Sequence, residues 1–290
     1  MDRDVKAKYF RVSDRDAGGL SFDEQILDFL VRSPRPRDRE YTTESGHLVR
    51  IESVENEPDW VSGNFCRIQT DNIPPEVTDD GLQAVQLANG RGLGHQNAFL
   101  FHRPTRILLW QQNRLGVSFL DLAHYLNRDV DFVSFFLFEP VGVEEAWSHF
   151  ANNSIKKAVV KFAGERPADP PEGEVVPAIL QARDIAERYS GLEVEITISV
   201  GRSRQHFLNK HKLGDTIRRL TLRDDLEKLK VFTDGDLNEK VLDFIDEHME
   251  NIAKLDLPSD DPDRNYTVRK SFLRESFESR LADLVARYGS

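Results

Sequence analysis

Cysteine is almost missing from this sequence: Cys66 is the only one in 290 residues. No intramolecular disulfide can form, which fits a reducing compartment, and the expectation is a cytoplasmic protein. No run of about 18 apolar residues occurs, so no membrane-spanning helix is expected. The opening residues, MDRDVKAKYF, lack an apolar stretch and do not read as a secretory signal. Internal repeats and low-complexity tracts are absent. Positive charge is in deficit as well. The chain has 39 Lys and Arg against 50 Asp and Glu, a formal net charge of −11. That sum repels a phosphate backbone at long range, so any nucleic-acid role requires a locally basic surface.

Motifs of catalysis are also lacking. The glycine-rich stretch Asn89-Gly90-Arg91-Gly92-Leu93-Gly94 is neither a Walker nor a dinucleotide fingerprint. It precedes a strand, whereas a phosphate cradle leads into a helix N-terminus. His206 and His211 lie five apart, a poor spacing for one metal on a helix, and no paired-cysteine zinc pattern exists. No G-x-S-x-G occurs, and Cys66 has no evident partner. The expectation is no catalytic residue, no metal and no cofactor. Glu227-Lys228-Leu229-Lys230 with Asp224 and Asp225 superficially matches a restriction-type nuclease, and chance explains that match more simply.

What is present is a globular composition, 39% hydrophobic with 18 Phe, sufficient for a sizeable core. The expected fold is α+β, with mixed, mostly antiparallel sheets, packed helices and a long C-terminal helix. Lys6 to Val12 reads as a first strand. Ser21 and Glu24 form a capping box ahead of Phe22, Ile26, Phe29 and Leu30 at helical spacing. Ala98 to His102 and Ile107 to Trp110 flank the turn Arg103-Pro104-Thr105 and read as a buried hairpin. Ser118 to Asp121 opens a second helix. Phe132 to Phe138 is apolar at nearly every position and is expected as a strand covered on both faces. Leu192 to Val200 alternates, with Val194, Ile196, Ile198 and Val200 inward. Val241 to Leu257 is ambiguous between strand and helix, and Val268 to Tyr288 reads as one C-terminal helix. Gly164 to Pro177, with four prolines, is the best linker. It suggests an N-terminal domain over 1–165 and a C-terminal domain over 175–290.

One segment runs against the acidic background. Gly201 to Arg223 carries Arg202, Arg204, Lys210, Lys212, Arg218, Arg219 and Arg223 against Asp215 alone, a net of +6. It starts where a strand ends and enters a helix, so backbone N–H groups there also face anions. Lys156 and Lys157, with Lys161, line a nearby strand and extend the candidate surface. The alternative is a solvated face paired with acids elsewhere in the fold. A second basic group, Arg32, Arg35, Arg37 and Arg39, falls on a proline-stiffened loop and reads as solvated.

The order of elements resembles the RexA-type phage-exclusion family. The likeness rests on Leu93-Gly94-His95-Gln96-Asn97-Ala98-Phe99-Leu100-Phe101, a glycine turn entering an F-L-F strand. A second strand (Arg106 to Trp110) and the capped helix Ser118 to Leu126 follow. The lysine-bearing strand Ile155 to Phe162 and the basic stretch after Leu192 to Val200 keep the same order. The chain departs from that pattern in two extra residues before the Phe99 strand and in a more acidic surface. The resemblance implies a cytoplasmic, homodimeric, double-stranded-DNA-binding protein of a bacterial prophage. Such a protein acts as a non-catalytic sensor in antiviral abortive infection, with a small membrane partner of the RexB type. Two other readings stand beside it: a Mg²⁺-dependent nuclease, and an acidic protein-interaction module.

Overall fold

The computed structural model describes residues 2–14, 20–43, 46–79, 81–88, 91–128, 136–163, 193–201, 205–221, 226–234, 240–245, 248–258 and 261–289. The fold is α+β with mostly antiparallel sheets. It divides into two units. The first comprises residues 1–7, 12–137 and 251–290, and the second residues 8–11 and 138–250. The expected linker at 164–177 and the boundary between 165 and 175 lie outside the described residues. Residues 251–290 group with the first unit rather than with the basic segment.

The first unit is built on a large sheet. Seven of its eight strands are β1 (Asp2–Asp14), β2 (Tyr41–Thr42), β3 (Leu48–Asn56), β4 (Trp60–Gln69), β7 (Leu93–His102), β8 (Ile107–Gln112) and β14 (Glu250–Asp256), in the order β14-β1-β8-β7-β4-β3-β2, and the eighth, β9 (Phe136–Pro140), pairs with β1 off this path. A small separate hairpin, β5 (Glu76–Thr78) and β6 (Gly81–Gln83), sits between β4 and β7 in sequence. Helices α1 (Phe22–Arg32) and α2 (Phe119–Leu126) bring Phe22, Ile26, Phe29, Phe119, Leu122 and Tyr125 onto one face of the sheet. Phe65 on that face is fully buried, with ring centroids 5.6 Å from Phe99, 5.7 Å from Trp110 and 5.3 Å from Tyr125. Such aromatic clusters combine large buried area with favourable edge-to-face geometry. Gly63, opposite Phe99 in the register, is required by this packing, because a Cβ there would lie 2.6 Å from the Phe99 ring.

The Ser21 capping box forms as read from the sequence, and the Ser118 side chain caps α2. The Ser21 N–H donates to Glu24 Oε2 at 2.8 Å, and Ser118 Oγ accepts from the Asp121 N–H at 3.0 Å. The hairpin pairs Phe99 with Trp110 and Phe101 with Leu108. Cys66 is buried opposite Phe65, and burial pushes its thiol up to about 11. The Arg32–Arg39 loop is not uniformly solvated. Arg39 is buried, and its guanidinium donates to the Glu52 carbonyl at 3.1 Å.

The second unit, which begins within β9, holds α3 (Glu144–Asn152), β10 (Ser154–Ala163), β11 (Glu193–Ser199), α4 (Lys210–Leu220), β12 (Leu226–Asp234) and β13 (Lys240–Asp243). Four of its strands form a sheet in the order β11-β10-β12-β13. Two expectations are corrected here. The described part of the Phe132–Phe138 stretch alternates in burial along β9, with Leu137 37% exposed, so it is covered on one face only. Ile198 is 44% exposed although its neighbours in the pattern turn inward, because β11 lies at the edge of the described sheet.

The ambiguous Val241–Leu257 stretch is two strands, β13 and β14. The C-terminal helix is likewise two: α5 (Pro262–Glu278) and α6 (Leu281–Tyr288), broken at Ser279-Arg280. Helix α5 starts earlier than its apolar stripe suggests. Asp261 caps it by accepting from the Arg264 N–H at 2.9 Å, and Pro262 occupies the first turn, where its missing N–H costs nothing. Among the described residues, no helix is long and apolar enough to cross a membrane.

A candidate nucleic-acid interface

Helix α4 is the ordered centre of the basic segment. It forms because Leu213, Ile217 and Leu220 recur at helical spacing and drop into a core with Ile155, Ala158, Val160, Leu229 and Val231. Asn209 caps it: its side-chain oxygen accepts from the Lys212 N–H at 3.1 Å. Gly214, which weakens the helix on propensity alone, faces the Phe150 ring and brings α4 close to α3. With the apolar stripe buried, His211, Lys212, Asp215 and Arg218 are left on the exposed face.

The predicted site residues are only partly brought together. Arg202, Arg204, Arg223 and the Arg219 side chain lie outside the described residues. Lys210 donates to the Ala151 carbonyl at 2.6 Å and so ties α4 to α3. Lys156 occupies an irregularity in β10, where the register shifts between Ile155 and Lys157. Its ammonium lies 4.0 Å from the Phe207 ring centroid, 3.3 Å from the His206 carbonyl and 3.4 Å from Asp234 Oδ2. Lys156 therefore sits beside the segment that leads into α4. Lys157 does not. It follows the opposite alternation from Ala158, which faces α4, and lies 4.7 Å from the Phe232 ring on the other face of the sheet.

That other face is an ion-pair lattice. Lys161 stands directly across from Lys228, an arrangement of like charges that is unfavourable alone. Glu227 answers Lys161 at 3.1 Å, Glu195 answers Lys228 at 3.2 Å, and Asp243 answers Lys230 at 2.8 Å. Three of the side chains invoked for a nuclease are thus engaged with partners across strands, and Asp224 and Asp225 lie outside the described residues. Among the described residues, no cluster of three His, Cys, Asp or Glu side chains is arranged to hold a metal.

Arg218 is the best-placed cation of the exposed helix face. Its guanidinium lies 4.7 Å from the Trp147 ring centroid, 3.9 Å from Glu139 and 3.7 Å from Asp215. These are long pairs on a side chain 53% exposed, and surface pairs of that kind contribute about 0–1 kcal/mol. A phosphate can replace them at little cost. Trp147 and Phe207, the aromatic platforms under Arg218 and Lys156, were not among the expected site residues. Only the fold brings Trp147 of α3 against Arg218 of α4.

A sequence profile matches residues 2–278, nearly the whole chain and elements of both units. The chain belongs to that family, DUF6731, a family of unknown function. No curated protein matches it.

Proposed function

We propose that this protein is a non-catalytic double-stranded-DNA-binding protein of low sequence selectivity, contacting phosphates through the exposed face of α4 and the segment ahead of it. The observation that carries this reading is the burial of Leu213, Ile217 and Leu220, which leaves Lys212 and Arg218 on one outward helix face while seven of the eight charged residues in 201–223 are basic. Lys156 belongs to the same surface, and Lys157 is withdrawn from it. No element with base-reading side chains is needed for such contacts, which position a protein on a duplex without specifying sequence. A cytoplasmic location, a homodimer, a RexB-type membrane partner and a sensor role in prophage-encoded phage exclusion complete the proposal, and these rest on the family resemblance of the sequence.

The test is an electrophoretic shift of a random-sequence duplex at low salt, with and without Mg²⁺. The expected result is a shifted, uncleaved duplex whose binding falls steeply with salt. Lys212→Glu with Arg218→Glu weakens it for all sequences and lowers the salt slope by about one for each phosphate no longer neutralised. Binding unchanged by that double reversal removes the assigned surface. Cleavage with Mg²⁺ selects the nuclease.

One observation favours the protein-interaction reading. The β5–β6 hairpin pairs Val77 with Leu82, and the two are 79% and 70% exposed in an acidic stretch. No duplex shift at low salt, together with a protein complex broken by Val77→Glu, selects that module instead.

A further inference from the structure

Helix α5 covers a part of β4 that is polar. Along β4, Val61, Gly63 and Phe65 face α1 and α2, so Ser62 and Asn64 face α5, and they are 1% and 4% exposed. Tyr266 and Arg269, one turn apart on α5, come down on them half-buried. Four side-chain atoms along this seam are sealed from solvent: Ser62 Oγ, Asn64 Oδ1, Tyr266 OH and Arg269 Nε. None has a hydrogen-bond partner among the described residues. The Tyr266 and Ser62 hydroxyls face each other but stand outside hydrogen-bond geometry. Buried polar atoms in folded proteins are paired in the large majority of cases, so four under one helix call for a shared partner.

The charges say what that partner is. Among the described residues Arg269 makes a single long bond, from Nη1 to the Gln96 carbonyl at 3.4 Å. Burial first, and then the nearby Arg3, hold its pKa below the ordinary guanidinium range. No carboxylate answers it among the described residues. The two acids closest to the seam have cationic partners, Glu55 with Lys270 at 2.5 Å and Glu57 with Arg274 at 3.4 Å, and Glu55 also faces the Tyr266 hydroxyl. Burial, reinforced by those acids, keeps the Tyr266 phenol protonated and hence a donor. A half-buried guanidinium with no counter-ion among the described residues, beside a second cation and two hydroxyl donors, is the arrangement that an anion completes.

We propose that the seam between α5 and β4 binds a compact oxyanion, a carboxylate or a phosphate. Arg269 Nε, Tyr266 OH and Ser62 OH donate to it, and Asn64 turns its amide to present its NH₂. Because Tyr266 and Arg269 are only half-buried, the site opens beside α5. It is independent of the α4 surface.

The experiment is thermal unfolding and calorimetric titration of the full chain with inorganic phosphate and with acetate, against sodium chloride at matched ionic strength. A saturable rise in Tm with phosphate or with acetate, absent with chloride, is the expected result, and the arm that responds names the anion. Arg269→Met abolishes the response. Tyr266→Phe, which keeps the ring, weakens binding by about tenfold or more, the scale of one hydrogen bond to a charged group. Lys270→Met, whose side chain pairs with Glu55, leaves it intact. If Arg269→Met fails to fold, Tyr266→Phe and Ser62→Ala decide. The absence of a saturable response in both arms, or an equal response in Tyr266→Phe and Ser62→Ala, overturns the proposal.

Discussion

Helices α4 and α5 each lie on an antiparallel sheet, one in each unit. Under α4 the contact is apolar throughout: Leu213, Ile217 and Leu220 meet Ile155, Ala158, Val160, Leu229 and Val231. Its cations are on the outside. Under α5 the contact is split. Leu273 and Phe277 are fully buried toward its C-terminal half, whereas Tyr266 and Arg269 bring polar atoms inward over Ser62 and Asn64. Burial of apolar area alone explains the first contact. It does not explain the second, where buried polar atoms have no hydrogen-bond partner among the described residues. The difference separates a helix that displays charge from one that encloses it.

The largest expected effect lies in the α4 contact. Ile217 is 0% exposed, and Ile217→Ala is expected to lower the unfolding free energy by about 2–5 kcal/mol, as for other buried large-to-small changes. Ser62→Ala is the counterpart under α5. It removes a hydroxyl that has no partner among the described residues, so in anion-free buffer its cost is expected to stay below about 1 kcal/mol. Chemical denaturation of both variants measures the contrast. Similar losses in the two break it.

Next is the apolar end of the α5 contact. His102 is 4% exposed, 4.3 Å from the Trp60 ring and 4.9 Å from that of Phe277, and its Nδ1 lies 2.9 Å from Thr105 Oγ1. Burial holds its pKa below the usual 6.5. The unfolded chain therefore takes up the proton first as pH falls. Stability is expected to be level above pH ~6.5, and to decline below it until the folded form also protonates. His95, lowered by burial and Arg67, acts in the same direction. Denaturant midpoints between pH 8 and pH 5 follow the decline, and His102→Gln removes part of it. An unchanged profile in that variant shows that the burial of His102 is not its source.

Smaller still are the helix caps. Asn209→Ala on α4 and Asp261→Ala on α5 each remove one side-chain acceptor from a backbone N–H, at 3.1 Å and 2.9 Å. Each is expected to cost about 1 kcal/mol. A much larger loss at Asp261 shows that the start of α5 also holds the polar seam in place.

The architecture was legible where a local pattern and its burial agree. The helix caps at Ser21 and Ser118 and the Phe99–Trp110 hairpin form as their residues read, since turn chemistry and alternation specify them without distant information. The break of the C-terminal helix at Ser279-Arg280 was not legible, because the apolar stripe runs through it. Nor was the exposure of Ile198, whose alternation is that of an inner strand while its position is at an edge. For the candidate interface, the sequence located the basic segment but could not say which face of the sheet each lysine takes. An irregularity at Lys156 decides that, sending Lys156 toward Phe207 and Lys157 toward Phe232. The α5 seam was invisible. Ser62, Asn64, Tyr266 and Arg269 are ordinary residues of polar strands and helices until two distant segments are packed together.

The smallest effect on stability belongs to Arg218, and it is also the one that best separates the two contacts. Its pairs with Glu139 and Asp215 are at 3.9 Å and 3.7 Å on a half-exposed side chain above Trp147. Arg218→Ala is expected to change the unfolding free energy by less than about 1 kcal/mol. Should its role be to hold Glu139 and Trp147 together, the destabilisation exceeds that and salt does not modulate duplex binding through it. Should its role be to meet phosphate, the folded state is indifferent and the salt slope of binding falls by about one. Denaturation and salt-dependent titration of the same variant therefore give opposite patterns for the two roles. The exposed guanidinium of α4 is a recognition group only if the first stays flat while the second moves.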